Sequence, residues 1–494
     1  MRFIGWKRPG VVAAAGLAVA AAAAPGLPAA SAASTASAKS VSGPVIRLEA
    51  AQRSVTVRST KGSVHMDPGI WLSSLGSALQ FDVQRASYTK PVTLTQVIHA
   101  PSGAAEKRPL PARLLDGWSG LKHFVRMTVR NASGTVVASP WLTFCPNTRD
   151  PQRASPDSPA AQPYPSECSS QDPFTLSVVW GIAKGWAADP AESAPGLGSY
   201  VHLPAGKYQV TETIAPAYVR LLHIASGDAA ATVAVTVVKG SQRTAARPAQ
   251  QARSLSAAPD VPYMAKPPKS ALPDLVPHPA WGISTAHASS GQDMLDFAAT
   301  VWIGGNGPLD VQGFRVQGSP VMKAYQYFWR NGRVIGRVRA GTMSYDNQMG
   351  HHHWHFEQFA RYALLDSAKK LAVRSHKVGF CIAPTDPVDL VLPHAVWQPQ
   401  TTGLTGQCGT PTALWTREAL PLGWGDTYVQ NIAGQAFNIT TVPNGTYYIE
   451  VAVNPLGLLH ETATSNDVTL RKVILGGTAG RRTVTVPAWH GING

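Results

Sequence analysis

Leu295, Phe297, Ala299, Val301 and Ile303 are apolar at every second position. A period of two marks a strand with one buried face. Gly304-Gly305-Asn306-Gly307-Pro308 then turns the chain. Short alternating or β-branched runs also occur at 63–67, 91–98, 124–129 and 232–238, separated by Pro101-Ser102-Gly103, Asn131-Ala132-Ser133-Gly134 and Pro204-Ala205-Gly206. Further strands are expected at 314–316, 325–330, 333–339, 362–366, 371–380, 447–454 and 468–475. No amphipathic helix is expected after 272. The pattern predicts an all-β protein, with an N-terminal β-sandwich over 44–240 and a C-terminal all-β domain over 272–480. One local echo joins the two halves. Leu203-Pro204-Ala205-Gly206-Lys207-Tyr208-Gln209-Val210 recurs as Val442-Pro443-Asn444-Gly445-Thr446-Tyr447-Tyr448-Ile449, a turn followed by a tyrosine at a β-sandwich corner.

Composition adds three expectations. Residues 1–33 read as a secretory signal of the bacterial type. Arg2, Lys7 and Arg8 precede an apolar run over 11–24, and Ala30-Ser31-Ala32 is a cleavage pattern. That run is shorter than the ~20 residues needed to span a bilayer, so the mature chain is expected to be secreted, extracellular or wall-associated, without a transmembrane span. Removing the leader leaves 40 Lys+Arg against 28 Asp+Glu, a net charge of +12. For an exported protein this points away from nucleic acid and toward an anionic cell-wall polymer, or to general solubility. Residues 241–271, rich in Pro, Ala, Gln and Arg, read as an extended basic linker open to proteases, so 271–494 is expected to act as an independent fragment. Four cysteines in an exported chain suggest two disulfides. Of three pairings, the local one, Cys145–Cys168 with Cys381–Cys408, keeps each bridge within one proposed domain.

The chemistry concentrates in Met349-Gly350-His351-His352-His353-Trp354-His355-Phe356-Glu357. On a strand His351, His353 and His355 share one face, ~6–7 Å apart, and their imidazoles can meet on one ion at about 2.0 Å. His352 and Trp354 face away. Three neutral imidazoles suit copper or zinc, not magnesium or calcium. The plainer reading is an exposed polar turn. The single histidines upstream, such as His65, His99 and His123, form no cluster.

The segments downstream of the histidines are more specific. Phe359-Ala360-Arg361-Tyr362-Ala363-Leu364-Leu365-Asp366 is followed by Ser375-His376-Lys377-Val378-Gly379-Phe380-Cys381, and then by Gly425-Asp426-Thr427-Tyr428. With the alternating histidines, and in this order, these segments resemble the catalytic domain of the lysyl oxidase family over roughly 271–476. The resemblance implies a copper site at His351, His353 and His355. It also implies a lysine tyrosylquinone cofactor made from Lys377 and Tyr428, which lie 51 positions apart. Taken singly, Lys377 reads as a solvated strand lysine and Tyr428 as a turn tyrosine. The triad in family order reverses that reading.

The implied reaction is oxidation of a primary amine to an aldehyde, with dioxygen consumed and ammonia and hydrogen peroxide released. Lys377 would join the ring only as a free amine, and burial or nearby copper charge would favour that form. A base must take a proton from the carbon beside nitrogen. Asp366, Asp426 and Glu357 are the candidates, with His376 a possible proton carrier. The chain departs from the animal pattern. It has two cysteines in this domain, one residue fewer before Phe359, Arg361 where a histidine often stands, and a longer segment between Cys408 and Asp426. Peptidyl lysine and small amines therefore both remain as substrates. Two other readings stand beside this one: a wall protein that binds copper without making the quinone, and a zinc hydrolase with Glu357 as base.

Overall fold

Strands dominate the computed structural model, which describes residues 43–493 except 101–102, 169, 193–199, 241–259, 317, 348–351, 376, 378 and 430–434. The expected leader, the first part of the expected linker, His351 and His376 lie outside the described residues. The protein is all-β, as the alternation predicted; among the described residues Pro216–Leu221 is the only α-helix. The alternating run beginning at Leu295 lies in the strand Asp293–Gly305, whose Leu295, Phe297 and Ile303 are fully buried.

In the first half a sheet runs in the order Trp141–Phe144, Leu121–Asn131, Gly206–Ile214, Ala230–Lys239 and Ser54–Ser59. A second contains Ser177–Ile182, Leu79–Gln84, Thr93–His99 and Ala105–Leu110. Every residue of Ser177–Ile182 is buried, which removes the alternation that would have announced it. The echo between the halves has a local cause: the Tyr208 hydroxyl donates to the Pro204 carbonyl and the Tyr447 hydroxyl to the Pro443 carbonyl, each at 2.9 Å.

Three sheets build the second half. One runs in the order Gly379–Phe380, His353–Glu357, Arg333–Asp346, Val321–Arg330, Leu309–Phe314 and Trp415–Leu420. Another places Pro273–Pro277, Asp293–Gly305, Trp424–Tyr428 and Asp386–Pro387 side by side. The third contains Leu371–Arg374, Ala360–Leu365, Gly445–Val453, Val468–Thr478 and Arg481–Thr485. The expected single strand over 371–380 is therefore two strands in different sheets. The Ser375 hydroxyl accepts the Lys377 amide at 3.1 Å, a local bond that competes with a ladder and bends the chain. Lys377 consequently lies in the crossover between sheets rather than in a strand.

The end of the expected linker is docked. Met264 N–H donates to Arg337 O at 2.9 Å, and Arg337 N–H to Pro262 O at 3.1 Å. The long strand Arg333–Asp346 pairs with His353–Glu357 only over 343–346, and its remaining edge would otherwise leave backbone groups unpaired. Both local disulfides form, Cys145–Cys168 and Cys381–Cys408.

One apolar cluster runs through both halves, from Ile46 and Phe81 to Phe297 and Leu475. One buried pair of charges in the second half is Arg417 with Asp310, joined by two hydrogen bonds, 2.9 and 2.8 Å, on facing strands. Arg417→Ala should destabilise the protein by about 3–5 kcal/mol, because Asp310 is left charged and buried. Urea denaturation measures this, and a loss below ~1 kcal/mol would mean that water replaces the guanidinium.

Candidate active site

The histidine strand behaves as its alternation requires. Trp354 is fully buried on one face, while His353 and His355 share the other, with their Nε2 atoms 2.9 Å apart. His352 is exposed and lies just before the strand. The hairpin register sets Asp346 opposite His353 and Ser344 opposite His355, so Asp346 falls on the histidine face. Its Oδ2 lies 3.6 Å from His355 Nδ1. The carboxylate thus lies on the Nδ1 side of the ring, and Nε2 is the nitrogen turned toward His353. Two imidazole nitrogens facing one point, one of them so oriented, fit a copper-type ion. Among the described residues this is a pair rather than a triad. Gly379 permits the packing: a Cβ there would sit 2.9 Å from His355 Cβ.

Lys377 and Tyr428 are brought together. Lys377 Nζ lies over the Tyr428 ring, 4.5 Å from its centroid, and 5.1 Å from the Phe380 centroid. Phe380 also packs edge-on against Tyr428 at 5.0 Å and Tyr362 at 5.8 Å. The Tyr428 hydroxyl accepts the Cys381 amide at 2.8 Å and donates to the Cys381 carbonyl at 3.0 Å. The disulfide then joins Cys381 to Cys408, whose carbonyl accepts the Trp354 amide at 2.7 Å. Lysine, tyrosine and histidine segments thus meet through one residue.

The three carboxylate candidates separate. Asp426 is 4 % exposed, and its Oδ2 has no hydrogen-bond partner. Burial pushes its carboxyl well above the usual range, while the Lys377 charge pulls it back. Asp366 is held in the hairpin turn after Ala360–Leu365, where its Oδ1 accepts the amides of Ala368 and Lys370, both at 2.9 Å. Glu357 shares the histidine face, but its Oε2 accepts the Thr342 hydroxyl at 2.6 Å. Asp426 is the one of the three whose charge acts on Lys377.

Two acids at the site were not evident from the sequence. Asp346 became visible only with the hairpin register. Glu418 is fully buried, accepts the Ile382 amide at 3.0 Å and acts electrostatically on Tyr428. Its strand, Trp415–Leu420, is buried on both faces, so no alternation in the sequence marks Glu418 as an interior position.

The family model described as lysyl oxidase matches residues 314–482. Lysyl oxidase homolog 4 of Mus musculus is 30% identical over 138 residues, which is 28% of this chain and 16% of that protein. The protein-lysine 6-oxidases of Rattus norvegicus and Sus scrofa are each 31% identical over 120 residues, or 24% of this chain. The chain thus spans less than half of each of these relatives, 25% of the rat protein and 42% of the pig protein. An all-β scaffold with a histidine strand beside a buried lysine–tyrosine pair defines the class. Residues 314–482 of this chain belong to the lysyl oxidase family.

Burial lowers the Lys377 amine to about 8, with the Asp426 and Asp346 charges opposing the shift. Its ordinary value is 10.5, so the unfolded chain binds more protons between those two values. Stability contributed by this group is therefore lost as pH falls through the interval and regained as pH rises. In metal-free protein, denaturant midpoints at about pH 7 and about pH 10 should show this rise, and Lys377→Met should remove it. An unchanged difference in the variant would place the titration elsewhere.

Proposed function

We propose that this protein is a secreted, copper-dependent amine oxidase that converts primary amines to aldehydes, with peptidyl lysine or small amines as substrates. The observation that carries the reading is the Lys377 amine lying over the Tyr428 ring, 4.5 Å from its centroid. The names of the relatives, protein-lysine 6-oxidase among them, support a lysine-type substrate. Two disulfides support an oxidising compartment. No helix among the described residues is long and apolar enough to cross a membrane.

His353 and His355 would hold the copper, with His351 as third ligand. Copper with dioxygen would supply oxidation of the Tyr428 ring, and the lysine tyrosylquinone built from Lys377 and Tyr428 would supply the electron sink for the amine. The chain's own residues do the rest. Lys377, lowered to about 8, is present in part as the free amine near neutral pH. Cys381 fixes the Tyr428 oxygen from both sides, which sets the ring's position against the lysine. Phe380 packs edge-on against the ring, backed by Tyr362, and Tyr428 is buried. Asp426 has an unpartnered oxygen and lies near enough to act on Lys377. It is the base we assign to proton removal, and its charge would also attract a cationic amine to a strongly positive protein. The catalytic work falls within 272–480, while 44–240 supports it.

A peptide map of copper-loaded, aerated protein tests the reading. The Lys377 and Tyr428 peptides should appear covalently joined; separate, unmodified peptides despite bound copper would leave a copper-binding protein and no amine oxidase. His353→Ala should lower copper content at least tenfold and abolish the joined peptide, as loss of a metal ligand requires. Lys377→Ala should keep its copper and lose peroxide release from amines.

A further inference from the structure

The N-terminal half grips the segment that pairs with the tyrosine strand. Residues 386–391 lie between Lys377 and Tyr428 in the chain. Their two-residue strand, Asp386–Pro387, pairs with Gly425 and Trp424 at the edge of Trp424–Tyr428. On its inner side the segment is continued by the Val388 and Asp389 amides, which donate to Gly423 O at 2.8 and 2.9 Å. Its outer side is held from the other half of the protein. The Leu176 and Ser177 amides donate to Val388 O at 2.7 and 2.9 Å, and the Leu390 amide donates back to Ser177 O at 3.3 Å. The Ser177 hydroxyl accepts the Val391 amide at 2.9 Å and donates to the Asp389 carboxylate. Asp386 Oδ1 accepts the Gln171 amide at 2.8 Å and the Ser170 hydroxyl at 3.1 Å.

The grip is passed to the site by contact. A Cβ at Gly425 would sit 3.1 Å from Val388 Cγ2 and 2.7 Å from Thr300 Cγ2, so the tyrosine strand is pinched between the held segment and Asp293–Gly305. The Thr427 amide donates to Thr385 Oγ1 at 2.7 Å, and Thr385 directly precedes the held segment. Asp426 lies between these two anchor points.

We propose that residues 44–240 are a permanent brace of the candidate active site, with Ser177 as the positioning residue that fixes the Asp426–Tyr428 strand. The proposal rests on the amine oxidase reading for its consequence and replaces the expectation of an independent 271–494 fragment. A brace of this kind stays with the catalytic half even after the linker is cut.

The test uses the full chain with a protease site placed within 245–255. After cutting, the halves should co-elute; separation, with the C-terminal half keeping its Lys377–Tyr428 cross-link, overturns the proposal. In uncut, metal-free protein, Ser177→Ala should speed amide exchange across 424–428 about tenfold, the change expected from losing ~1.4 kcal/mol of hydrogen bonding. Copper content should hold while the yield of cross-link drops, and Ser177→Thr, which keeps the hydroxyl, should restore both readouts. Exchange at the wild-type rate in folded Ser177→Ala removes Ser177 from the role. Should Ser177→Ala fail to fold, Asp389→Asn, which weakens only the hydroxyl–carboxylate bond, is judged by the same exchange. The exchange needs neither copper nor cofactor. Failure of wild-type protein to cross-link therefore sinks the oxidase reading, while the brace is still decided by exchange.

Discussion

The two-way hydrogen bond between the Tyr428 hydroxyl and the Cys381 backbone is the constraint on which this site depends. A buried hydroxyl must find partners, and here both come from one residue. That residue is also tied by its disulfide to Cys408, and through the Cys408 carbonyl to the histidine strand. Lys377 is four positions before Cys381, so the chain has little freedom to carry the amine away from the ring. A covalent bridge and three hydrogen bonds hold together what two sheets and the crossover carrying Lys377 deliver.

Electrostatics follow from that packing. A lysine and an aspartate share a space closed by aromatic rings. Burial disfavours both charges, and their attraction restores part of what each loses. The result is a lysine that releases its proton far more readily than one on the surface, beside a carboxyl ready to hold one. Groups with shifted proton affinities in a shared cleft are what acid–base chemistry requires. Burial, with the Asp426 and Glu418 carboxyls adding to it, pushes the Tyr428 phenol well above its usual range, and burial likewise raises the Glu418 carboxyl.

The two halves of the chain are less separate than their composition implied. Within each half strands pair with their own neighbours. Yet the apolar core is continuous, and a buried hydrogen bond between His278 Nδ1 and Asp172 Oδ2, at 2.6 Å, links one half to the other. The all-β class was legible from sequence alternation, although Asp293–Gly305, expected to be half-buried, is buried on both faces from Phe297 to Gly304. The strand Ser177–Ile182, buried throughout, was not legible.

At the site itself the division is similar. By itself the sequence determined the residue types and their order: alternating histidines, then the lysine, then the tyrosine, with cysteines placed for local bridges. Those are properties of neighbours along the chain, and strand alternation alone puts His353 and His355 on one face. The tertiary structure decided everything that needs two distant segments. It brought Lys377 to Tyr428 across 51 positions, put Asp426 where its charge acts on the amine and Asp366 in a hairpin turn, and set Asp346 behind His355. Which acid meets which base depends on sheet register and burial, and these exist only once the chain has folded.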